Sequence, residues 1–495
     1  MNLANIIDGH PADHVALISR NRATTYGALA EQVAGLRGGL TELGVQKGDR
    51  VALLIGNGRF FVVSYLAVLG LGAVAVPLNP SSPAPELTRE LVSVGASAVI
   101  VGPAAVNAWR RIDRADVPLV RQVIATEGHE LDDASSIDEL ITSAPVPVVD
   151  VEPDHLAVLM FTSGTAGSPR AAMLSHGNLQ SNIDQVVHTE TAMHASDIVY
   201  AVLPMFHIMG LNVVLGISLA VGATVVLVQR FDPSTALETI RDRRVTVVPG
   251  APPMWVDFSM CDAPADAFAS VRIALTGAAK MPEEAMRRLH DRFGVDLAEG
   301  YGLTEASPIV TSSGGGAMKP GSVGKVIDGV QVRIVDDTGD DALEGDTGEI
   351  WVQGPNVFQG YLNDAESTAR VLTSDGWLRT GDIGMTDGEG FLYLIDRAKD
   401  LIIVSGFNVF PNEVEEVLLE HAGVAEVGVI GVPHPHTGEA VKAFVVPQPG
   451  VHLDEDELIA YCNSELARYK CPSKIMFVDE LPRNVSGKLL RRSLV

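Results

Sequence analysis

Cysteine is scarce in this chain: there are three, Cys261, Cys462 and Cys471. Three scattered thiols make no disulfide framework and lack the paired spacing of a zinc site, so a reduced, cytoplasmic setting is expected. Positive charge is short as well, with 36 Lys and Arg against 62 Asp and Glu and a formal net charge of −26. Such a balance excludes nucleic acid as a bulk partner, because duplex binding depends on neutralising phosphates. A small polyanion stays admissible, since a local group of donors can hold one against the global field. Nor is there a clean membrane span. The most apolar run, 62–78, has 17 residues with Gly70 and Gly72 inside it, short of the about 20 that a spanning helix needs. It is read as a buried helix from about Phe60 to Leu69 followed by a buried strand at Val74 to Pro77. The N-terminal M-N-L-A-N-I-I-D has no basic region ahead of an apolar one, so no secretory signal is expected. Transient contact with a membrane surface is left open.

What is present fits an enzyme. At 495 residues the chain exceeds what one hydrophobic core serves, and 46% hydrophobic with 20% charged residues is an ordinary globular balance. Helical and strand patterns alternate. A helical stripe at 29–40 precedes short apolar runs at 49–55 and 96–101, and the rhythm returns at 223–228 and 245–249 around a helix at 234–243. Short buried strands separated by helices predict an α/β fold with mostly parallel sheets. The stretch 311–326, T-S-S-G-G-G-A-M-K-P-G-S-V-G-K-V, reads as a Gly-rich loop, and shorter strands follow at 330–336 and 348–354. The last hundred or so residues read as a small α+β unit: a strand near Leu401, a helix at 411–419, a strand at 427–432 and a helix from Asp454.

One loop stands out. The strand L-A-V-L-M-F at 156–161 runs into T-S-G-T-A-G-S-P-R-A-A-M at 162–173, so the loop leaves a strand's carboxyl end, where α/β proteins bind ligands. Small residues let backbone N–H groups wrap an anion, with hydroxyls from Thr162, Ser163 and Thr165 and a charge from Arg170. Gly164 and Gly167 do not have Walker spacing. Taken alone, the segment reads equally well as a polar turn.

Five further stretches change that balance: L-P-M-F-H-I-M-G (203–210), E-G-Y-G-L-T-E (299–305), G-W-L-R-T-G-D (376–382), D-R-A-K-D-L-I-I-V-S-G (396–406) and P-R-N-V-S-G-K-L-L-R-R (482–492). With the loop, they resemble the adenylate-forming superfamily of acyl-CoA synthetases, luciferases and peptide-synthetase adenylation domains, in the family's order. The resemblance implies a large N-terminal domain at 1–396, with mostly parallel sheets, flanking helices and a distorted β-barrel-like part. A hinge at 397–400, with Lys399, and a small mobile α+β domain at 401–495 would follow.

It also implies a reaction. A carboxylic acid is activated with ATP and Mg²⁺ to an acyl-AMP, and a thiol, usually that of coenzyme A, then displaces AMP. By resemblance Thr162, Ser163, Gly164, Thr165 and Arg170 cradle phosphates, Glu305 is the Mg²⁺ carboxylate and Thr304 a phosphate donor. Tyr301 packs on adenine, with Glu299, Gly300, Gly277, Ala278 and Ala279 lining the base and the start of the acyl site. Asp382 and Arg397 contact ribose. Lys488 is the adenylation lysine, and its setting resembles sites where relatives are switched off by lysine acetylation. Gly406 lines the pantetheine tunnel, and His207, with Phe206 and Met209, stands at the acyl pocket. In isolation Glu305, Tyr301, Lys488 and His207 would read as a solvated acid, a core aromatic, a solvated cation and a structural histidine.

Departures from the family pattern bear on the details. Arg170 and Ala171 replace the usual Lys-Gly, Ala278 and Lys280 replace Gly and Pro, and Ala220 stands where aryl-CoA ligases have an arginine that touches coenzyme A. Arg468, Lys470 or Lys474 are the substitutes considered for the coenzyme A phosphates. H-P-H-T-G-E (434–439) and G-S-V-G-K (321–325) are set aside as a surface loop and a turn. No Asp accompanies M-F-H-I, which disfavours amino acids. The expected lining, Phe206, Met209, Val248, Ala251, Met254, Ala278 and Ala279, suits a fatty or aryl carboxylic acid. Two alternatives stay open: an acyl-AMP ligase that loads a carrier protein, and a non-catalytic binding relative. A monomer and a homodimer are both compatible.

Overall fold

The computed structural model describes all residues except 127–130, 132, 163–169, 189–191, 278–280, 314–318, 337, 398–399, 401, 405–406, 435–437, 467, 484–488 and 495. The chain divides into two compact units. The first comprises Met1–Lys319, Gly324–Gln331 and Val352–Leu378, and the second Pro320–Val323, Val332–Trp351 and Arg379–Val495. The expected hinge at 397–400 lies inside the second unit, where Leu378–Thr386 and Leu392–Arg397 form an antiparallel pair.

The first unit is built on two large sheets. One has seven strands in the order Ser135–Ser136, Gln122–Ala125, Ala98–Val101, Arg50–Leu54, Val74–Pro77, Leu156–Thr162, Arg170–Ser175. All neighbours are parallel except the last pair. The other has nine strands: Lys325–Val326, Ile309–Ser312, Leu297–Gly302, Ile273–Thr276, Val247–Gly250, Ile198–Ala201, Thr224–Leu227, Val15–Ser19, Arg22–Thr25. Its interior is parallel and both margins are antiparallel. Runs such as A-V-I-V and T-V-V-L are buried at every position, as expected of β-branched strands covered on both faces.

The apolar run at 62–78 resolves as read, into a helix Arg59–Gly70 buried along nearly its whole length and a strand Val74–Pro77. Among the described residues, no helix is long and apolar enough to cross a membrane. The Gly-rich stretch 311–326 is loop at 313 and 319–324 as read, but both its ends are strands. Thr311 and Ser312 pair with Tyr301 and Gly300, and Val326 and Lys325 pair back onto Thr311 and Ser312. Strand partners on both sides capture backbone that composition alone leaves irregular.

The second unit contains most of the curled, half-barrel sheet Gln331–Val335, Gly348–Gln353, Leu378–Thr386, Leu392–Arg397, the first three strands of which each begin or end in the first unit. It also contains a five-stranded sheet centred on Val424–His434 and Gly438–Pro447. Helices Pro411–Glu420 and Glu455–Glu465 cover that sheet over a core that includes Val409, Val414, Leu418, Val429, Ala443, Val445, Leu458 and Ile475. Cys462 and Cys471 are buried, and none of the three cysteines forms a disulfide. Burial pushes the Cys462 thiol up to about 12.

Candidate active site

The phosphate-loop candidate is framed by two antiparallel strands, in which Thr162 is the register partner of Arg170. Ser163, Gly164 and Thr165 lie outside the described residues. The loop therefore leaves a strand's carboxyl end and returns as a strand, unlike a Walker loop, which opens a helix. That strand reaches a helix only at His176–Val187, whose start is fixed by a reciprocal cap between Ser175 and Asn178.

Arg170 is held on two sides. Its Nε lies 3.5 Å from Asp364 Oδ2, and its guanidinium sits over the Tyr361 ring at 5.4 Å from the centroid. Tyr361 Oη donates to Glu305 Oε1 at 2.7 Å. Asp364 also caps helix Ala365–Val371 by accepting from Ser367 N, and these bonds, the backbone one first, hold its carboxyl below the usual range. The result is a chain Asp364, Arg170, Tyr361, Glu305, which joins the rim of the phosphate loop to the expected metal carboxylate. Sequence reasoning passed over Tyr361 and Asp364, and V-F-Q-G-Y-L-N-D offers no pattern of its own.

Glu305 and Thr304 occupy a single 3₁₀ turn, Thr304–Ala306, directly after strand Leu297–Gly302. The turn is braced by three buried asparagines. Asn212 Nδ2 donates to Ser307 O at 2.7 Å, Asn356 Nδ2 to Ala306 O at 2.8 Å, and Asn182 exchanges two bonds with Ile309. Each asparagine comes from a different segment, so sequence spacing could not announce them. Gly302 has a steric reason as well: a Cβ there would stand 2.2 Å from Pro308 O, which no side chain tolerates.

Glu299, Gly300 and Tyr301 follow one another on the same strand. Tyr301 is buried and its N–H donates to Thr311 Oγ1 at 3.3 Å, while Glu299 Oε1 accepts from Met281 N at 3.4 Å. Gly277 lies at the end of the neighbouring strand. A Cβ placed on it would meet Gly300 O at 3.5 Å and Met209 Cε at 3.6 Å. The structure therefore brings together Met209, which the resemblance places at the acyl pocket, and Gly277 and Gly300, which it places at the base and the start of the acyl site. Ala278 and Ala279 lie outside the described residues.

Phe206, His207 and Met209 are each partly exposed. Their segment is pinned from behind by Asn57, which donates to Ala201 O and Leu203 O and accepts from Met205 N. It leads into a π-helical segment, Met209–Gly216, a winding that recurs at functional sites. Gly210 allows the tight entry, since a Cβ would fall 2.2 Å from Pro204 O. His207 Nδ1 accepts from Met209 N at 3.3 Å, which leaves the ring proton on Nε2. Desolvation lowers its pKa, so at neutral pH it is an uncharged donor. Of the remaining expected lining, Val248 is sealed inside the sheet and Met254 is buried.

In the second unit, Asp382 is buried, and its backbone register partner in the antiparallel strand pair is Arg397. Its strand is steadied by Gly381 N donating to Glu349 Oε1 at 3.1 Å and Thr380 Oγ1 to Ile350 O at 2.7 Å. Lys399, Gly406 and Lys488 lie outside the described residues. Of the cations considered for coenzyme A phosphates, Lys470 is paired with Glu413 at 2.5 Å and Lys474 with Glu455 at 3.4 Å.

Comparison with known proteins adds an independent line. The chain matches the family described as AMP-binding enzyme over residues 3–362 and the AMP-binding enzyme C-terminal domain over 413–488. It is 39% identical over 473 residues to a feruloyl-CoA synthase of an Amycolatopsis species, covering 95% of this chain and 93% of the relative. It is 36% identical over 493 residues to a long-chain-fatty-acid–CoA ligase of Bacillus subtilis strain 168, covering 91% and 86%. The crystal structure of ATP-bound MatB from Rhodopseudomonas palustris superposes with a TM-score of 0.92 at 31% identity, covering 100% of this chain and 98% of that one.

Proposed function

This chain belongs to the AMP-binding enzyme family, and on that premise we propose that it is an AMP-forming acid–thiol ligase that converts a fatty or aryl carboxylic acid to its coenzyme A thioester. The carboxylate attacks the α-phosphorus of ATP and pyrophosphate departs. The coenzyme A thiol then attacks the acyl carbonyl and AMP departs. The observation that carries this reading is the alignment of chemistry along one strand and its turn. Glu299, Gly300 and Tyr301 lead within a few residues to Thr304 and Glu305, beside the loop closed by Thr162 and Arg170.

The first step sets a negative nucleophile against a negative triphosphate, so the protein's task is largely electrostatic. Backbone and hydroxyl groups of the 162–170 loop, with Thr304, hold phosphate oxygens. Glu305 offers a hard anionic oxygen, one of its two being committed to Tyr361, and this donor chemistry fits Mg²⁺ accompanied by phosphates and water. Mg²⁺ there supplies charge neutralisation on the leaving pyrophosphate. Tyr301 packs on adenine, and Asp382 accepts from ribose hydroxyls with Arg397 beside it. Lys488, a compact cation, bridges the carboxylate and the α-phosphate. Rotation about Lys399 then brings Gly406 to the pantetheine path. His207, neutral and donating from Nε2, guards the acyl pocket bounded by Phe206, Met209 and Gly277.

Two facts support an apolar acid. Met209 lies against Gly277, and Met254 is buried nearby in sequence to the Val247–Gly250 strand. The relatives compared include one named for an aryl acid and one for long-chain fatty acids. The test is pyrophosphate release across a panel of fatty and aryl acids, with and without coenzyme A, for the native chain and Lys488→Ala. Release accelerated by coenzyme A, with acyl-CoA formed, supports the ligase. Single-turnover release indifferent to coenzyme A points to a carrier-protein acceptor. Lys488→Ala should lose at least about 100-fold in adenylation while still binding ATP, and an unchanged rate removes Lys488 from the mechanism.

A further inference from the structure

We propose that Tyr361 is a positioning residue for metal-assisted adenylation: its hydroxyl fixes the Glu305 carboxylate in the orientation that receives the nucleotide's divalent cation. The inference rests on the reading of Glu305 as the metal carboxylate. Glu305 is gripped twice by the segment Phe358–Tyr361. Phe358 N donates to Glu305 O at 2.8 Å, and Tyr361 Oη donates to Glu305 Oε1 at 2.7 Å. Main chain and side chain are thus both referred to one rigid support.

That support is over-determined. Tyr361 N donates to Thr368 Oγ1 at 2.9 Å, Gln359 N to Met173 O at 3.0 Å, and Leu362 N to Ala171 O at 2.9 Å. The Tyr361 ring meets Phe358 edge-on at 5.0 Å and carries Arg170 over its face at 5.4 Å. Arg170 is in turn anchored by Asp364. Tyr361 is 7% exposed, so water does not compete freely for its hydroxyl.

The physical consequence concerns geometry. With Oε1 occupied by a phenolic donor, the carboxylate cannot rotate freely about its last bond, and Oε2 is left as the oxygen for a cation. Partners of metal-binding groups contribute affinity in this way, and their loss typically costs about 10–100-fold. Among the described residues, no group of three or more His, Cys, Asp and Glu is arranged so that it could hold a metal ion. A cation held by one carboxylate plus phosphates depends all the more on how that carboxylate is aimed.

The experiment measures binding of Mn²⁺, by electron paramagnetic resonance of the free ion, to the full chain with a non-hydrolysable ATP analogue. The proteins are the native chain, Tyr361→Phe, Glu305→Gln and the double variant, with melting midpoints compared to exclude gross misfolding. Tyr361→Phe should weaken Mn²⁺ binding about 10–100-fold, and raise the Mg²⁺ concentration for half-maximal adenylation while leaving KM for the acid near native. The double variant should bind no worse than Glu305→Gln alone. Equal weakening by Tyr361→Phe in both backgrounds means the effect does not pass through Glu305 and overturns the proposal. Weakening by Glu305→Gln but not by Tyr361→Phe overturns it too, while the reading of Glu305 stands. If Glu305→Gln itself leaves binding unchanged, that reading fails and the positioning role falls with it.

Discussion

The buried side chain of Asn212 donates to the Ser307 carbonyl at 2.7 Å and to the Leu179 carbonyl at 3.2 Å. Through Ser307 it ties the segment that carries His207 and Met209 to the turn that carries Thr304 and Glu305. Asn212→Ala leaves these two interior carbonyls without that donor, at a cost of roughly 2–3 kcal/mol. The expected result is a lower melting midpoint together with a fall in adenylation rate. Native adenylation in a destabilised variant would show that the tie braces the fold without shaping the site.

Gly277→Ala tests the acyl wall. The added methyl would make ordinary contacts with Gly300 O and Met209 Cε at 3.5 and 3.6 Å, so the variant should fold with a near-native melting midpoint. It should nevertheless narrow the space beside Met209. A lost or added methylene in a pocket changes kcat/KM by about 10–200-fold. The bulkiest accepted acid should therefore suffer most, read as a ratio of kcat/KM for large and small acids. A uniform change across the panel would place Gly277 away from the acyl chain.

His176 gives the fold a dependence on pH. It is buried, its Nδ1 accepts from Leu3 N at 3.0 Å, and its ring stacks on His155 at 5.9 Å. Burial first, then the positive neighbours His155, the N-terminal ammonium and Lys47, push its pKa down to about 3. The folded value lies below the unfolded value of about 6.5, so the unfolded chain binds the extra proton. The stabilising contribution is therefore complete above about pH 6.5 and is lost as pH falls toward 3. Between pH 7 and pH 5 this group should remove about 2 kcal/mol. Urea midpoints at the two pH values should differ more for the native chain than for His176→Gln, which keeps an acceptor for Leu3 N but does not titrate. Parallel pH profiles would assign the acid sensitivity to other groups.

Much of the architecture was legible along the chain. Runs such as A-V-I-V and T-V-V-L announce buried strands because β-branched residues suit a covered sheet, and strands form at Ala98–Val101 and Thr224–Leu227. Gly210 and Gly302, inside two of the motifs, mark places where backbone passes too close for a Cβ. The Gly-rich stretch 311–326 is loop at 313 and 319–324 as read, but its ends form short strands that pair with each other and with Leu297–Gly302, a pairing its glycine content does not announce.

By itself the sequence determined the elements and the motif chemistry, because helix, strand and loop preferences act over a few residues. Tertiary structure alone decided which distant side chains meet: Tyr361 with Glu305, Arg170 with Asp364, Asn212 with Ser307. It also decided that the phosphate loop returns as a strand rather than opening a helix. These pairings depend on sheet order and on burial, where an unmatched polar group is costly, and neither is encoded in local spacing.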